Sequence, residues 1–156
     1  MNRSLFLYLL LLPFSLIAQN SAKVIGIKDG DTILVLLIDK SQKTLRLAEV
    51  DCPESGQPFG KNAKQYTSDQ VFGKTIKFIQ TDVDRYGRTI AKVYYDNEKY
   101  LSEQIIRAGL GWWYFRYSDN KKLGDLENIA RNRKIGLWKD SKMIAPWQFR
   151  KFKNYN

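Results

Sequence analysis

The sequence predicts an α+β domain, in which a small, partly open barrel of five β-strands carries about three packed helices. Two observations lead to this fold class. Between residues 23 and 95, short runs rich in β-branched and aromatic residues alternate with turn signals, and helical patterns follow them. The length of 156 residues is typical of one domain and suffices to bury a hydrophobic core without disulfide bonds.

The first three predicted strands form a meander. Lys23–Lys28 and Thr32–Ile38 flank Asp29-Gly30, a dipeptide that favours a tight turn. The second strand is almost continuously apolar, which indicates burial on both of its faces. After a polar turn, Thr44–Val50 is the third strand.

Two further strands and one inserted helix complete the predicted barrel. A loop rich in Gly and Pro leads to a helix at 62–72, which Gly73 ends. The strands Thr75–Thr81 and Thr89–Tyr95 follow, with a charged turn between them. Five short strands with a helix after the third have the strand count and size of an OB-type Greek-key barrel.

Helical patterns follow the fifth strand. Leu101–Ala108 has an apolar face, and Gly109 after it suits a helix C-terminus. A last helix is capped by Ser118 or Asp119 and stopped by Gly136. Three apolar residues mark its buried stripe, namely Leu123, Leu126 and Ala130.

The first 18 residues have the pattern of a signal peptide. Arg3 precedes the apolar run Leu5–Ile17, and Ala18 is a small residue suited to cleavage. The run is shorter than the ~20 residues that span a bilayer. We therefore expect a secreted or periplasmic protein without stable membrane association, and an uncleaved anchor is the alternative. Residues 19–156 are expected to form a single, monomeric domain with a basic, aromatic C-terminal tail.

The composition limits the chemistry that is available. The chain has no histidine and one cysteine, Cys52, which excludes Ser-His and Cys-His catalysis and metal sites built from His or several Cys. Any general acid or base must be Asp, Glu, Lys or Tyr. The formal net charge of +10 attracts polyanions. The 13% aromatic content favours nucleic acid among them, because bases stack on aromatic rings.

Four carboxylates lie at turns beside the predicted strands, namely Asp29, Asp31, Asp51 and Glu54. Taken singly, each is better explained as a turn residue. Carboxylates that converge repel one another unless a cation lies among them. Oxygen ligands alone indicate Ca²⁺ or Mg²⁺, and ligands from separate turns suit Ca²⁺ slightly better. Glu54 is the candidate for orienting or deprotonating an attacking water.

Two arginines could stabilise the charge that develops in phosphoryl transfer. Arg46 lies on the strand that leads to Asp51, and Arg88 follows Gly87, which permits a backbone kink; the alternative for each is a solvated surface charge. Arg46 and Asp51 would point to opposite faces of a straight strand, so their meeting requires a bend between them. The aromatic run Trp112–Tyr117 could stack bases, although at least half of its rings are expected in the core.

Three motifs occur in order: Asp29-Gly30-Asp31-Thr32, a segment from Arg46-Leu47 to Val50-Asp51-Cys52-Pro53-Glu54, and Asp84-Arg85-Tyr86-Gly87-Arg88. In these motifs the chain resembles the thermonuclease family, the staphylococcal-nuclease-like calcium-dependent nucleases. The resemblance covers about 23–139. It implies an OB-type barrel that acts as an endonuclease on DNA and RNA and leaves 5′-hydroxyl and 3′-phosphate ends.

The resemblance also implies a calcium site. Its ligands would be Asp31, Asp51 and the backbone carbonyl of Cys52. The best-known member of the family has threonine where this chain has Cys52. Because only the carbonyl is needed, activity is expected to survive, and the free thiol would be an oxidation site in an exported protein.

The remaining implied residues act on the substrate. Glu54 would activate water, Arg46 and Arg88 would bind the phosphate, and Tyr86 and Tyr117 would lie beside the nucleic acid. The alternative to an enzyme is a non-catalytic OB module that binds single strands. Such a module would be expected to lose some of the five key side chains, all of which are present here: Asp31, Arg46, Asp51, Glu54 and Arg88.

Overall fold

The computed structural model describes residues 20–153, so the predicted signal peptide lies outside the described residues. The strands within this range are β1 (Asn20–Asp29), β2 (Thr32–Leu37), β3 (Gln42–Leu47), β4 (Val50–Asp51), β5 (Thr75–Val83), β6 (Thr89–Tyr95), β7 (Lys99–Tyr100) and β8 (Trp112–Trp113). The α-helices are α1 (Gly60–Val71), α2 (Leu101–Arg107), α3 (Lys121–Asn132) and α4 (Pro146–Lys153). Between residues 20 and 153, no helix is both long and apolar enough to cross a membrane.

Five of these strands close into a barrel. The main sheet has the order β3-β2-β1-β5-β6-β7, and these neighbours pair antiparallel. β3 also pairs in parallel with β6, where Leu45 lies opposite Thr89 and Leu47 lies opposite Ala91. This pairing joins the two arms of the sheet and closes the barrel. The predicted α+β class and OB-type barrel are thereby confirmed.

The strands β2, β5 and β6 and the helix α2 begin where the sequence predicts, but other boundaries differ. β1 begins at Asn20 rather than Lys23, and the N-cap of α3 is Asn120 rather than Ser118 or Asp119, with the helix ending at Asn132, before Gly136. The third predicted strand stops at Leu47, and Val50–Asp51 forms a separate strand that pairs with β8. The first two residues of α1 precede the predicted start at 62, and its N-cap is Phe59. The basic tail, which was not predicted to be helical, forms α4, so the described residues contain four α-helices.

The hydrophobic core lies inside the barrel and under α2 and α3. Its largest fully buried strand residues include Ile33, Leu45, Leu47 and Ile76. Burial of each such side chain contributes about 1.5–3 kcal/mol. The helices cover one end of the barrel with Leu101, Ile105, Ile106, Leu123 and Leu126. The predicted buried stripe of the last barrel-covering helix, α3, is confirmed.

A second, smaller core lies between the later helices. Trp112, Leu137 and Trp138 are buried there, and Trp147 of α4 packs against them. The Trp112 and Trp138 rings meet edge to face with centroids 5.0 Å apart. This cluster attaches α4, and hence the C-terminal tail, to the body of the domain.

Candidate active site

A sharp bend after β3 brings Arg46 and Asp51 together. β3 ends at Leu47, Glu49 adopts a left-handed backbone conformation with φ 67°, and the chain then turns into β4. Arg46 Nη2 consequently lies 2.9 Å from Asp51 Oδ1. The bend that the sequence requires for these two residues to meet is confirmed.

Contacts of Glu49 fix this bend. Its carboxylate accepts hydrogen bonds from the Tyr100 hydroxyl at 2.8 Å and the Ser118 hydroxyl at 3.1 Å. Its carbonyl accepts one from the Tyr114 N–H at 3.0 Å. A non-glycine residue in a rarely populated backbone conformation costs about 1–3 kcal/mol, and these hydrogen bonds offset that cost. The position of Asp51 therefore depends on Tyr100 of β7 and on Tyr114 and Ser118 of the segment that follows β8.

Arg46 links the two predicted calcium ligands. Its Nη1 donates to the carbonyls of Leu47 and Val50 at 2.6 and 2.8 Å. Its Nη2 donates to Asp51 and lies 3.3 Å from Asp31 Oδ2. Burial opposes the charged guanidinium, but the carboxylates of Asp31 and Asp51 outweigh burial and raise the pKa of Arg46. Arg46 thus serves as a buried counter-charge that holds both carboxylates at one point.

Asp31 is positioned by the turn between β1 and β2 and by α1. Its Oδ2 accepts the Cys52 N–H at 2.8 Å, and its Oδ1 accepts the Thr32 hydroxyl at 3.2 Å. The Thr67 hydroxyl of α1 donates to the Gly30 carbonyl at 2.6 Å. A Cβ at Gly30 would lie 2.8 Å from the Cys52 Cβ, so glycine is required for this close approach. The two motifs that supply Asp31 and Asp51 are therefore packed directly together.

Glu54 lies on the loop after β4, and Gln57 holds that loop in place. The Glu54 N–H donates to Gln57 Oε1 at 3.1 Å, and the Gln57 N–H donates to the Glu54 carbonyl at 2.8 Å. Gln57 Nε2 also donates to the Ile144 carbonyl at 2.6 Å. A Cβ at Gly60 would lie 2.1 Å from the Glu54 carbonyl oxygen. The backbone of Glu54 is thus confined between α1 and the C-terminal segment.

A third arginine, Arg150 of α4, completes the cluster. Its Nη2 lies 2.8 Å from Asp51 Oδ2, and its Nη1 lies 2.6 Å from Glu54 Oε1 and 3.2 Å from Asp51 Oδ1. One turn earlier, the Trp147 ring stacks on Tyr114 with centroids 5.6 Å apart and an interplanar angle of 4°. Sequence reasoning missed Arg150. The available signal was an arginine within a basic, aromatic tail.

The acidic cluster is electrostatically costly without positive partners. Burial, followed by the repulsion of Asp31, raises the pKa of Asp29 to about 6. Burial also raises the pKa of Asp51, while hydrogen bonding to Arg150 and the charge of Arg46 act in the opposite direction. The cluster is therefore a site that favours bound positive charge.

Arg88 and Tyr86 lie on the turn between β5 and β6. Arg88 Nε donates to Asp84 Oδ2 at 2.6 Å, and the Arg88 guanidinium lies 5.6 Å from the Tyr86 ring centroid. Ile90, two residues after Arg88, lies opposite Arg46 in the parallel pairing of β6 with β3. Arg88 therefore directly precedes β6, the strand that pairs with β3 at Arg46. Within residues 20–153 the ion-pair partner of Arg88 is Asp84. Tyr86 is 75% exposed and open to a ligand.

The aromatic run after β8 faces the cluster through Tyr114. Burial and the negative charge of Asp51 raise the pKa of Tyr114, and the Tyr114 ring stacks on Trp147, one turn before Arg150 on α4. Tyr117, the predicted substrate residue, is 71% exposed, and its ring centroid lies 4.8 Å from that of Tyr114. The structure therefore adds Tyr114 to the site and places Tyr117 at its outer side.

The donor atoms suit a hard divalent cation. Asp31 and Asp51 offer carboxylate oxygens, and Cys52 offers its backbone carbonyl. Cys52 follows Asp51 in the chain, and its N–H donates to Asp31. Oxygen ligands of this kind fit Ca²⁺. Among the side chains of residues 20–153, no group of three or more Asp, Glu, His or Cys is arranged to hold a metal ion. The positive partners of the Asp31 and Asp51 carboxylates are Arg46, which contacts both, and Arg150, which contacts Asp51.

Comparisons with known proteins identify the family of the chain. The model of the family described as staphylococcal nuclease homologue matches residues 44–140. An uncharacterized endonuclease of Haemophilus influenzae is 34% identical over an alignment 160 residues long, which covers 99% of this chain and 89% of that protein. A micrococcal nuclease of Shigella flexneri is 33% identical, with 86% and 82% covered. A staphylococcal-like nuclease of Arabidopsis thaliana is 38% identical over 109 residues, 70% of this chain and 33% of that protein.

These matches favour an enzyme over the non-catalytic binding module. The matched region contains Arg46, Asp51, Glu54 and Arg88, and nucleic acid is the substrate class of such nucleases. The chain therefore belongs to the staphylococcal nuclease homologue family, and it is a nuclease, a phosphodiester hydrolase of the endonuclease type.

Proposed function

We propose that this nuclease is calcium-dependent, acts on both DNA and RNA, and leaves 5′-hydroxyl and 3′-phosphate ends. The observation that carries the proposal is that Arg46 contacts Asp31 and Asp51 while Arg150 contacts Asp51 and Glu54, in a chain whose net charge is +10. Carboxylates that lie this close repel one another unless positive charge lies among them, and a divalent cation at Asp31 and Asp51 would supply it. The fold family supports calcium as that cation.

Asp31, Asp51 and the Cys52 carbonyl would hold the ion. When bound, Ca²⁺ supplies Lewis-acid polarisation of a phosphate oxygen. Arg46 keeps Asp31 and Asp51 together, because its Nη2 contacts both carboxylates. Its Nη1 is already committed to two backbone carbonyls, so its effect on the phosphate is exerted through the remaining Nε–H and through its charge.

Glu54 acts as the general base. Its side chain is 38% exposed and can therefore reach a water molecule, while its backbone is held by Gln57. The carboxylate orients the water for in-line attack on phosphorus and accepts its proton. As the water oxygen bonds to phosphorus the P–O5′ bond breaks, the leaving 5′-oxygen takes a proton from solvent water to become the hydroxyl end, and the phosphate stays on the 3′ side.

Arg88 stabilises the transition state. Its Nε is bonded to Asp84, which orients the guanidinium and leaves its two Nη groups to form a fork with phosphate oxygens. Tyr86, Tyr114 and Tyr117 supply hydroxyls and ring faces for the nucleotides beside the cleaved bond. Because Lys and Arg neutralise the substrate's phosphates, binding should weaken steeply as salt rises.

The test is cleavage of heat-denatured DNA and of RNA by the purified protein in CaCl₂, MgCl₂ or EGTA, followed by end analysis. We expect cleavage of both substrates in CaCl₂ and its loss in EGTA. The fragments should be labelled by polynucleotide kinase without prior phosphatase treatment. Equal cleavage in MgCl₂ and CaCl₂, or fragments that need phosphatase before labelling, would contradict the metal and the end chemistry respectively.

We also propose that the protein is exported and monomeric. The apolar leader with Ala18 at its end supports export, and the cell location is tested by N-terminal sequencing of protein recovered from the medium and the periplasm. A start near residue 19 is expected, and an intact Met1 in the membrane fraction would contradict cleavage. Size-exclusion chromatography with light scattering should give one chain per particle, and a dimer mass would refute the monomer.

A further inference from the structure

Arg150 binds the two carboxylates that catalysis would need free. Both oxygens of Asp51 contact its guanidinium, and the same group contacts Glu54. Asp51 Oδ1 additionally accepts from Arg46, so the lone pairs that could bind a metal are largely taken by arginine donors. A divalent cation beside Asp51 would also lie next to the positive charge of Arg150, and the two repel each other.

The two arginines differ in their freedom to move. Arg46 is 12% exposed, and its Nη1 is bonded to two carbonyls of its own bend. Arg150 is 40% exposed and projects from α4, the last described helix of the chain. When a cation competes for Asp51, Arg150 can leave by a side-chain or helix movement, while Arg46 cannot leave without breaking the bend.

We propose that Arg150 is a positioning residue that occupies the carboxylates of the metal-free enzyme and is displaced by the divalent cation. This inference rests on the proposed calcium site. Arg150 keeps Asp51 and Glu54 in place and neutralised until the cation arrives, and it thereby lowers the affinity of the protein for the cation. By reciprocity, bound cation loosens the contact of α4 with the site.

Calcium binding to the purified protein, measured by isothermal titration calorimetry, tests the inference without any activity assay. Arg150→Gln should bind CaCl₂ at least about fivefold more tightly than the wild type, within the usual range of coupling between sites. Lys151→Gln is the matched control, because it removes the same charge from an exposed neighbour on the same helix. Arg150→Lys, which retains the charge without the fork, should lie between the wild type and Arg150→Gln.

A second readout follows α4. Because Trp147 stacks on Tyr114 one turn before Arg150, CaCl₂ should change the tryptophan emission of the wild type. The change should be absent in Trp147→Phe. Equal or weaker calcium binding by Arg150→Gln relative to Lys151→Gln, with circular dichroism showing a folded protein, would overturn the displacement. A lack of calcium binding in the wild type and every variant would instead overturn the calcium site itself and the inference with it.

Discussion

Replacing Gly60 with alanine should impair catalysis through the backbone of Glu54. A Cβ at this position would lie 2.1 Å from the Glu54 carbonyl oxygen, whereas real Cβ contacts essentially never fall below 3.0 Å. The Glu54 loop or the start of α1 must therefore move by about 0.9 Å. Because Gln57 ties the loop to Ile144, the displacement cannot be absorbed by the loop alone.

The magnitude follows from the cost of misplacement. Overpacking costs about 1–3 kcal/mol, part of which the better helix propensity of alanine offsets, so we expect a loss of about 1–2 kcal/mol in unfolding free energy. A shift of about 1 Å at a catalytic group can cost about 100-fold in rate. We therefore expect kcat/KM on denatured DNA to fall by roughly 30- to 100-fold, with DNA binding little changed.

Gly56→Ala is the matched control, since a Cβ at Gly56 in the same loop would have nothing within 4 Å. Its unfolding free energy should stay within about 0.5–1 kcal/mol of the wild type. Urea denaturation and steady-state kinetics measure both variants. If Gly60→Ala retains kcat/KM within twofold of Gly56→Ala, the claim that the Gly60 contact positions Glu54 is refuted.

Three further predictions concern other parts of the site. Arg88→Lys should lower turnover far more than DNA affinity, because a lysine cannot form the fork on the phosphate; kinetics beside equilibrium binding measure this, and equal losses would contradict the role. The Cys52 thiol is buried, and burial, followed by the charge of Asp31, raises its pKa. A thiol reagent should therefore react slowly with the native protein and at once with the protein in denaturant. Equal reaction rates in the two conditions would show that the thiol is accessible and open to oxidation. Burial opposes the charge of Asp84, but hydrogen bonds from Arg88 and Tyr86 outweigh it and lower the pKa of Asp84. The ionised Asp84 carboxylate therefore stabilises the fold above the usual pKa of an aspartate in the unfolded chain, and this contribution is lost as pH falls through the lowered pKa of Asp84 in the folded protein. The urea midpoints of the wild type and Asp84→Asn should accordingly converge below about pH 4. A gap between the midpoints that does not change with pH would contradict this linkage.

Much of the barrel could be predicted because its signals are local. The strand at Thr89–Tyr95 has the predicted boundaries, since alternation of apolar residues and a turn on each side define it. Asp31, Arg46, Asp51 and Glu54 were identified from short motifs, whose residues are brought together by two turns and one bend. The bend itself was required by strand parity, which is also a local rule.

The parts that the sequence could not predict depend on distant contacts. Arg150 meets Asp51 across 99 positions and Glu54 across 96, and nothing in the tail indicates which carboxylate it reaches. Glu49 adopts its left-handed conformation because Tyr100 and Ser118 hold its carboxylate. Neither local propensity nor spacing could reveal these pairings, because tertiary contacts determine them.

The most direct measurement is single-turnover cleavage of heat-denatured DNA in CaCl₂ by the wild type and Glu54→Gln, beside DNA binding in the same buffer. Glu98→Gln, a change of the same kind at an exposed ion pair with Lys77, is the control. A general base at Glu54 predicts a loss of cleavage by at least about 100-fold, within the usual contribution of such a group, while DNA binding and Glu98→Gln stay near wild type. Unchanged cleavage by Glu54→Gln would contradict the mechanism and assign the activation of water to another group.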